Sequence, residues 1–432
     1  MLKSFIKNFD LLAISENRRL ALGIMESGLK AIDTEEVILK SVLLEGNILS
    51  IQGESFDLSL FEKIKVIGFG KSSSEAALAL EKVLGSRISA GAVVGLSKVD
   101  TKHIESFVGT HPKPSEENIV AGKRIYEIIK NSGEKDLIIA LVSGGGSALL
   151  CSSEDEYIQG AKLYDAFLGT GGTITEMNTI RKHLSLFKGG GLLKIAYPAT
   201  VVGLIFSDVP GDAFLDVASG PTYKDETTVE DAQNIITENN LGEFNLIETP
   251  KEDKYFEKVR NFVLVSNKIA VEAMERKAQE FGFQVDVVST DLYDEVGGAL
   301  KRIFSCKREN TVVLAAGEPS VTVPEDAGKG GRNLHMGLSA IKEKYIDEDS
   351  VFISFASDGI DNSDAAGAVV DMDTIRGERG LNLDVGDYLD RFDSYSFFQK
   401  TKDLIITNKT NANVSDLMIL LTKKHQKHEQ NH

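Results

Sequence analysis

The chain is poor in cysteine and has no long hydrophobic run, and both features limit what it can be. Cys151 and Cys306 are the only cysteines in 432 residues, and they have no metal-binding spacing. No apolar run approaches the roughly 18 residues of a membrane helix. Charged residues interrupt every apolar run of the N-terminal segment, which is unlike a secretory signal. We therefore expect a cytoplasmic protein with reduced thiols and no membrane partner.

Positive charge is also scarce in this sequence. Lys and Arg together number 48 against 65 Asp and Glu, which gives a formal net charge of -17. A predominantly negative surface repels phosphate backbones, so we expect no nucleic-acid partner. Any anionic substrate must therefore be held by locally placed Lys or Arg side chains. The charge balance leaves open whether the protein is a monomer or a homodimer.

The sequence also lacks the HExxH, GxSxG and CxxC signatures of common catalytic and metal sites. Instead, apolar strands, short loops and amphipathic helices alternate along the chain, which predicts an α/β fold with mostly parallel sheets. The segment 221–260 is more polar and has no clear strand. We place the domain boundary there, between an N-terminal α/β domain, 1–245, and a C-terminal α/β domain, 246–432.

The central stretch of the sequence is a buried strand that runs into a triple glycine. Six apolar residues, Leu137 to Val142, precede Ser143, Gly144, Gly145, Gly146 and Ser147. An apolar run of this length is typical of a parallel strand buried on both faces. Glycines permit close backbone approach, and free amides at a helix start bind anions, most often phosphate. A tight turn without a ligand is the structural alternative.

Polar or glycine residues also follow several other apolar strands. The strand ends concerned are Gly70-Lys71, Ser143–Ser147, Asp208, Ser266-Asn267, Gly317-Glu318 and Asp358. In open α/β sheets the carboxyl ends of the strands line the ligand crevice. The same residue types are favoured in turns for steric reasons, but their recurrence at six strand ends favours a binding site.

Two basic residues stand out among these loops. Lys71 follows a Gly-x-Gly at a predicted helix start, where its charge adds to the positive helix end unless an anion is bound. Arg332 lies in the glycine-rich loop GKGGRN, and a guanidinium can hold a carboxylate or phosphate through two parallel hydrogen bonds. A solvated surface lysine and a flexible surface loop are the structural alternatives.

Asp208 and Asp358 are carboxylates at strand ends, and such oxygen ligands suit Mg²⁺. Each could instead cap the following turn. His111 and His183 could act as acid-base groups, although histidines in such a turn or helix more often have structural roles. We therefore predict a metal site at the two aspartates and structural roles for the two histidines.

Nine motifs in one order carry a resemblance to a known family. They are GFGKS, THPKPSEENI, LVSGGGSALL, MNTIRKHLS, FSDVPGD, SGPT, AAGEPSVTV, GKGGRN and ASDGID with AAGA. Together they span nearly the whole chain, from about residue 15 to about residue 420. The sequence resembles the ATP-dependent glycerate 2-kinases (type II glycerate kinases), whose C-terminal domain is named after the MOFRL motif.

This resemblance implies two three-layer α/β/α domains, the N-terminal one Rossmann-like, with the active site in the interdomain cleft. It implies phosphorylation of D-glycerate at the 2-hydroxyl by ATP, with Mg²⁺ or another divalent cation. By motif match, Lys71 and Arg332 are the expected catalytic residues. Because the acceptor is a small carboxylate, we expect Lys71, Arg181 and Arg332 to bind it. Residues expected to bind nucleotide or phosphate are Ser143, Gly144, Gly145, Gly146, Ser147, Asn267, Gly317 and Glu318.

Besides Asn362, which stands where the family commonly has glycine, the sequence departs from the family pattern at two places. Gly191 stands where the family usually carries arginine after Lys-Gly-Gly. The segment 407–414 replaces a loop in which the family usually has glycines and a proline. Neither change affects Lys71 or Arg332, so we expect the departures to influence substrate range more than reaction class.

Two other functions remain open at this point. One is an NAD(P)H-dependent reductase of hydroxypyruvate or tartronate, which requires a G-x-G-x-x-G loop after the first strand. Here Gly68-x-Gly70 continues as Lys71, Ser72 and Ser73, so the third glycine is missing. The other is a non-catalytic sensor of sugar acids or nucleotides on the same scaffold, which would bind a ligand without turnover.

Overall fold

The computed structural model describes residues 4–167, 172–209, 214–410 and 412–423. The chain divides into two compact units. The first, Thr34–Val265, is called the parallel-sheet unit, and the second, Met1–Asp33 together with Ser266–His432, is called the mixed-sheet unit. Helices and strands are numbered along the chain.

The parallel-sheet unit contains the helices and strands between the third helix and the ninth strand. Its helices are α3 (Thr34–Ser41), α4 (Ser73–Leu84), α5 (Glu116–Ile129), α6 (Gly146–Leu149), α7 (Glu154–Phe167), α8 (Ile174–Lys182), α9 (Gly191–Ala196) and α10 (Val229–Glu238). Its strands are β1 (Val42–Glu45), β2 (Ile48–Ile51), β3 (Glu54–Asp57), β4 (Lys63–Phe69), β5 (Ile88–Gly95), β6 (Glu105–Val108), β7 (Asp136–Ser143), β8 (Thr200–Phe206) and β9 (Val259–Val265).

Six of these strands form a sheet in the order β6-β5-β4-β7-β8-β9, and every neighbouring pair is parallel. All eight residues of β7 are buried, as its continuous apolar run predicts. Counted from β4, the order is the 3-2-1-4-5-6 of a Rossmann-type sheet. The predicted α/β class and the Rossmann-like N-terminal part are confirmed. Strands β1 to β3 form a separate antiparallel sheet.

The mixed-sheet unit contains the two N-terminal helices and the elements that follow residue 265. Its helices are α1 (Phe9–Leu12), α2 (Glu16–Ala31), α11 (Asn267–Glu280), α12 (Val296–Ser305), α13 (Arg332–Lys342), α14 (Met372–Gly380), α15 (Val385–Asp390) and α16 (Ser394–Thr401). Its strands are β10 (Gln284–Leu292), β11 (Thr311–Gly317), β12 (Ser350–Ala356), β13 (Gly367–Val370), β14 (Leu404–Ile405) and β15 (Asp416–Thr422).

The second sheet has the order β10-β11-β15-β12-β13-β14. Only β10 and β11 pair in parallel, and the other neighbours are antiparallel. The difference from a mostly parallel sheet arises because the C-terminal strand β15 inserts between β11 and β12. The two-residue β14 lies at the edge of this sheet, whereas β15, which follows it in the chain, is fully buried.

The division into units also differs from a boundary at residue 245. Strand β9 lies after that position but pairs with β8, so it belongs to the first sheet. The first 33 residues join the mixed-sheet unit because the buried Arg18 of α2 bonds Asp371 at 2.7 Å and Asp403 at 2.8 Å. Among the helices of the described residues, none combines the length and apolar character that a membrane crossing needs.

Candidate active site

Two of the predicted binding loops lie at the point where the strand order of the parallel sheet reverses. Strands β4 and β7 are neighbours, and the chain proceeds outward from them in opposite directions. Lys71 follows β4, and Ser143–Ser147 end β7 and begin α6. Ligands of open α/β sheets bind outside the carboxyl ends of the strands at this switch point. The topology therefore brings both loops to the same ligand-binding edge.

These two loops are held together by hydrogen bonds. The Lys71 amide donates to the Gly144 carbonyl at 2.8 Å, and the Ser72 amide donates to Ser143 Oγ at 3.1 Å. Gly70 has a φ of +117°, and a Cβ at this position would lie 2.2 Å from Ser143 Oγ. Glycine is therefore required at residue 70, and the backbone that carries Lys71 is fixed against the triple-glycine turn.

The triple-glycine turn has little space for larger residues. Gly145 has a φ of +78°, and a Cβ on Gly144 would lie 1.9 Å from the Asp208 carboxyl carbon. The helix that follows, α6, is a single turn of four residues. Ser147 Oγ lies 2.8 Å from Ser219 Oγ. Binding of phosphate by this turn remains a prediction.

The Lys71 ammonium has only a loose contact with a carboxylate. Its Nζ lies 3.7 Å from Asp208 Oδ2, and the two side chains are 30% and 22% exposed. At that separation the pair is weak compared with a hydrogen-bonded ion pair. The ammonium can therefore move to a bound anion while its backbone stays fixed.

Arg181 in α8 has no carboxylate partner among the residues that the structure describes. It makes no side-chain hydrogen bond or ion pair with any residue that the structure describes, although it is largely withdrawn from solvent. Burial lowers the pKa of its guanidinium to about 10. The adjacent Lys182, by contrast, lies 3.4 Å from both Asp216 and Asp225. A desolvated cation without a counter-charge is costly, so Arg181 has the properties of a binding residue for an anion.

His111, for which the sequence predicts a structural role, is a further polar group near Lys71. It lies beside Lys71, since a Cβ on Gly145 would be 3.1 Å from both His111 Cδ2 and Lys71 Cγ. Partial desolvation and the charges of Lys71 and Arg181 lower the pKa of His111 to about 4. The imidazole is therefore neutral at pH 7 and can accept a proton.

His183, in comparison, has a structural role in the same unit. It is fully buried, with Nδ1 3.0 Å from the Ile247 carbonyl and Nε2 3.3 Å from Thr227 Oγ1. Both ring nitrogens are occupied by protein groups. The predicted structural role therefore suits His183. His111, in contrast, has no side-chain hydrogen bond with any described residue.

Arg332 in the mixed-sheet unit is anchored much more firmly than Lys71. Its Nε donates to Asp416, the first residue of β15, and its Nη2 lies 3.5 Å from Glu318 Oε1. The Asp416 side chain is only 4% exposed. Burial raises the pKa of its carboxyl to about 7, against the opposing effect of Arg332. The guanidinium is thus oriented by two carboxylates while remaining 34% exposed.

Most of the backbone amides at the start of α13 are already occupied by a carboxylate. The buried carboxylate of Asp361 accepts hydrogen bonds from the amides of Gly331 at 3.2 Å, Asn333 at 3.1 Å and Leu334 at 2.8 Å. It therefore caps the helix from a distant loop. Anion binding at this end of the helix would depend on the Arg332 side chain.

The remaining residues predicted to bind nucleotide have structural contacts. Asn267 is buried, and its Nδ2 donates to the Thr290 carbonyl at 2.7 Å. Gly317 has a φ of +150°, and a Cβ there would lie 2.3 Å from the Leu292 carbonyl oxygen. Glu318 contacts Arg332, as described above. Nucleotide binding by these three residues remains a prediction.

The two predicted metal ligands lie in different units. Asp208 follows β8 beside Lys71, and Asp358 follows β12, where its Oδ1 accepts from the Ile360 amide at 3.0 Å. Among the described residues, no three His, Cys, Asp or Glu side chains come together as a metal site would require. Mg²⁺ often takes only one or two protein carboxylates besides phosphates and waters, so the oxygen donors of Asp208 fit such an ion.

Gly191 and Asn408 lie at positions where the sequence departs from the family pattern. Gly191 begins α9, and a Cβ there would lie 2.1 Å from the Leu186 carbonyl oxygen. This backbone therefore suits glycine and would have to shift for a larger residue. In the segment 407–414, Asn408 has a φ of +59°, as its tolerance of this conformation predicts. Asn411 lies outside the described residues.

Comparison with known proteins identifies the family. Residues 20–247 match the model "Domain of unknown function (DUF4147)", and residues 311–416 match the MOFRL family. The chain is 34% identical to the glycerate 2-kinase of Pyrococcus horikoshii over 94% of its own length and 97% of that protein. The chain belongs to the MOFRL-type glycerate 2-kinase family. The resemblance carried by the nine motifs is thus confirmed.

Two further members of this family are informative. The crystal structure of glycerate kinase from Thermotoga maritima superposes with a TM-score of 0.80 at 29% identity, covering 94% of this chain and 99% of that chain. A protein of Agrobacterium vitis, provisionally named a hydroxypyruvate reductase, is 35% identical over 82% of this chain and 98% of its own. The fold is therefore shared with the Thermotoga protein, whereas the names given to the relatives differ.

Proposed function

We propose that the protein transfers the γ-phosphoryl group of ATP to the 2-hydroxyl of D-glycerate, giving 2-phosphoglycerate and ADP. Membership of the glycerate 2-kinase family supports this reaction. The observation that carries it in this chain is the desolvated Arg181, which has no carboxylate partner among the described residues and lies in the electrostatic environment of Lys71 and His111. A site of this kind suits a small anionic substrate.

Arg181 is the residue that we assign to the glycerate carboxylate. A guanidinium can hold a carboxylate through two charge-assisted hydrogen bonds, which are stronger than neutral ones. Folding has already removed most of the water from the Arg181 guanidinium, which costs free energy. Pairing with a substrate carboxylate would offset part of that cost. The substrate class follows from this argument, since an uncharged polyol would leave the buried cation unpaired.

Lys71 and Arg332 are the residues that we assign to the phosphoryl group. In phosphoryl transfer the charge spreads over the equatorial oxygens, and catalysis consists mainly of positioning and charge stabilisation. Lys71 combines a fixed backbone with a loosely paired ammonium, which suits a group that must reach the transferring phosphoryl. Arg332 is held through Nε and Nη2, which leaves Nη1 without a protein partner among the described residues.

A divalent cation and a proton acceptor complete the proposal. Asp208 would hold Mg²⁺, and the ion, when bound, supplies further neutralisation of phosphate charge. The 2-hydroxyl proton needs an acceptor as the bond from oxygen to phosphorus forms. The neutral imidazole of His111 is suited to that role because it stands beside Lys71 and has no side-chain hydrogen bond within the described chain.

A reductase of hydroxypyruvate is the second candidate, because one relative carries that provisional name. The loop after β4 argues against it. A dinucleotide-binding loop leaves space for the pyrophosphate with glycines at three positions, whereas this loop continues as Lys71 and Ser72, and α4 begins at Ser73. We therefore favour the kinase reaction.

The test is a product analysis with D-glycerate, ATP and Mg²⁺, in which ¹³C and ³¹P NMR identify the phosphorylated carbon. We expect 2-phosphoglycerate and an equal amount of ADP. A parallel reaction with hydroxypyruvate and NADH should consume no NADH. Formation of 3-phosphoglycerate alone, absence of any phosphoglycerate, or rapid NADH oxidation would each refute the proposal.

A further inference from the structure

The mixed-sheet unit contains a cavity of about 360 Å³ next to Arg332. This volume is within the range of small-molecule and cofactor sites. Apolar side chains form much of the wall, including Val321, Val323, Ile360 and Phe392. Val323 and Ile360 are 59% and 46% exposed, which is unusual for large apolar side chains gathered at one opening. The cavity therefore offers an apolar surface to a flat or ring-shaped group.

Asp358 is a carboxylate of this cavity with unused hydrogen-bonding capacity. Its Oδ1 accepts from the Ile360 amide at 3.0 Å, which fixes the orientation of the carboxylate. Its Oδ2 makes no hydrogen bond with any residue that the structure describes. The other carboxylates of the wall are occupied, since Asp361 caps α13 and Asp416 bonds Arg332. A fixed carboxylate with an available oxygen is suited to accept from hydroxyl groups.

We propose that this cavity binds the nucleoside part of the phosphoryl donor, with the base on the apolar wall and the ribose hydroxyls on Asp358. The inference rests on the proposed kinase function, because it supplies the binding site for ATP. A carboxylate that reads a ribose 2′-hydroxyl is a recurrent solution in nucleotide-binding proteins. The guanidinium of Arg332 on the same wall is suited to a phosphate of the same nucleotide.

This assignment also replaces the expectation that Asp358 binds a metal. One of its oxygens accepts from a backbone amide, which leaves a single carboxylate oxygen available to a ligand. A hydroxyl group needs only one accepting oxygen, whereas a divalent cation prefers several oxygen ligands. The geometry of Asp358 is therefore better matched to a sugar than to an ion.

The test compares ADP with 2′-deoxy-ADP by titration calorimetry on the whole protein, in the parent and in Asp358→Asn. In the parent we expect the 2′-deoxy ligand to bind about tenfold more weakly, because a hydrogen bond to a charged group is lost. In Asp358→Asn we expect ADP to bind about tenfold more weakly and the two ligands to differ by about twofold or less. Asp390→Asn, an exposed position at the end of α15, is the matched control and should behave as the parent.

The outcomes separate this inference from the proposed function. If the parent binds both ligands equally, or if Asp358→Asn retains the parent's preference, the cavity is not the nucleoside site, even when the protein makes 2-phosphoglycerate. A loss in Asp358→Asn that raised Mg²⁺ restores would assign Asp358 to the metal and overturn the inference. A second variant, Ile360→Ser, should weaken ADP and 2′-deoxy-ADP equally, since it alters only the apolar wall. If Ile360→Ser weakens the two ligands unequally, the assignment of the base to the apolar wall and of the ribose to Asp358 is contradicted.

Discussion

Lys71 and Arg332, the two basic residues that the sequence singles out, are held in opposite ways. Lys71 in the parallel-sheet unit has a backbone held by hydrogen bonds and an ammonium 3.7 Å from Asp208 Oδ2. Arg332 in the mixed-sheet unit starts a helix, and its guanidinium is bonded to the buried Asp416 and contacts Glu318. The comparison indicates that Lys71 can follow a phosphoryl group, whereas Arg332 is oriented before any ligand binds.

Arg181 represents a third condition, a cation that is desolvated and has no partner among the described residues. Replacing each of these three residues should therefore have a different effect. Replacement of the tightly paired Arg332 should lower both stability and activity, and replacement of the loosely paired Lys71 should lower activity alone. Replacement of Arg181 should weaken recognition of the substrate's negative charge.

Arg332→Ala should have the largest combined effect. We expect kcat to fall by roughly 10²-fold or more, which corresponds to about 2.7 kcal/mol. The variant also leaves the buried Asp416 without its partner, which should lower the free energy of unfolding by about 2 kcal/mol. Steady-state kinetics and chemical denaturation measure the two effects.

Two further variants test the origin of that instability. Adding Asp416→Asn to Arg332→Ala should restore part of the lost stability but none of the lost activity, because it removes the unpaired buried charge. Arg376→Ala, which removes an exposed paired arginine, should change neither quantity appreciably. If Arg332→Ala is as stable as the parent, Asp416 is not a firm anchor.

Lys71→Ala should lower kcat by about 10²-fold with little change in stability. Its contact with Asp208 is loose and partly exposed, so folding gains little from it. Steady-state kinetics and a denaturation midpoint should be compared with Lys98→Ala, an exposed lysine of the same unit. A kcat within a factor of about three of the parent would make Lys71 a mere surface charge.

His111→Asn should lower kcat by about tenfold, since an amide cannot take the hydroxyl proton and little proton transfer is needed in a loose transition state. Because the pKa of His111 is lowered to about 4, its imidazole stays neutral above that pH. The kcat of the parent should therefore not fall between about pH 8 and pH 5 through this group. A fall centred near the ordinary histidine value, or an unchanged kcat in His111→Asn relative to a His103→Asn control, would contradict the assignment.

The parallel-sheet unit was largely predictable from the sequence. Continuous apolar runs such as Leu137 to Val142 predict buried parallel strands, and the glycine and lysine that follow β4 predict the tight turn that the structure has there. The reaction was predicted from the family resemblance, because no single stretch of residues indicates it. The sequence could not show that Arg181 has no carboxylate partner among the described residues, because the partners of a side chain depend on the tertiary structure.

The mixed-sheet unit was less predictable, for a physical reason. The apolar run of β15 was not assigned as a strand, and its antiparallel insertion between β11 and β12 depends on long-range pairing. Asp416 begins that strand, so the anchor of Arg332 was missed together with it. Similarly, the composition of β9 identifies a strand but not the sheet that it joins.

The most direct test of the account is the recognition of the substrate carboxylate by Arg181. The measurement is the ratio of kcat/KM for D-glycerate to kcat/KM for D-glyceramide, its neutral analogue, in the parent, in Arg181→Met and in the control Arg124→Met. We predict a ratio of at least about 10² in the parent and in the control, because the neutral analogue leaves a buried cation unpaired. The ratio should fall by about tenfold or more in Arg181→Met. An unchanged ratio in Arg181→Met would contradict the account.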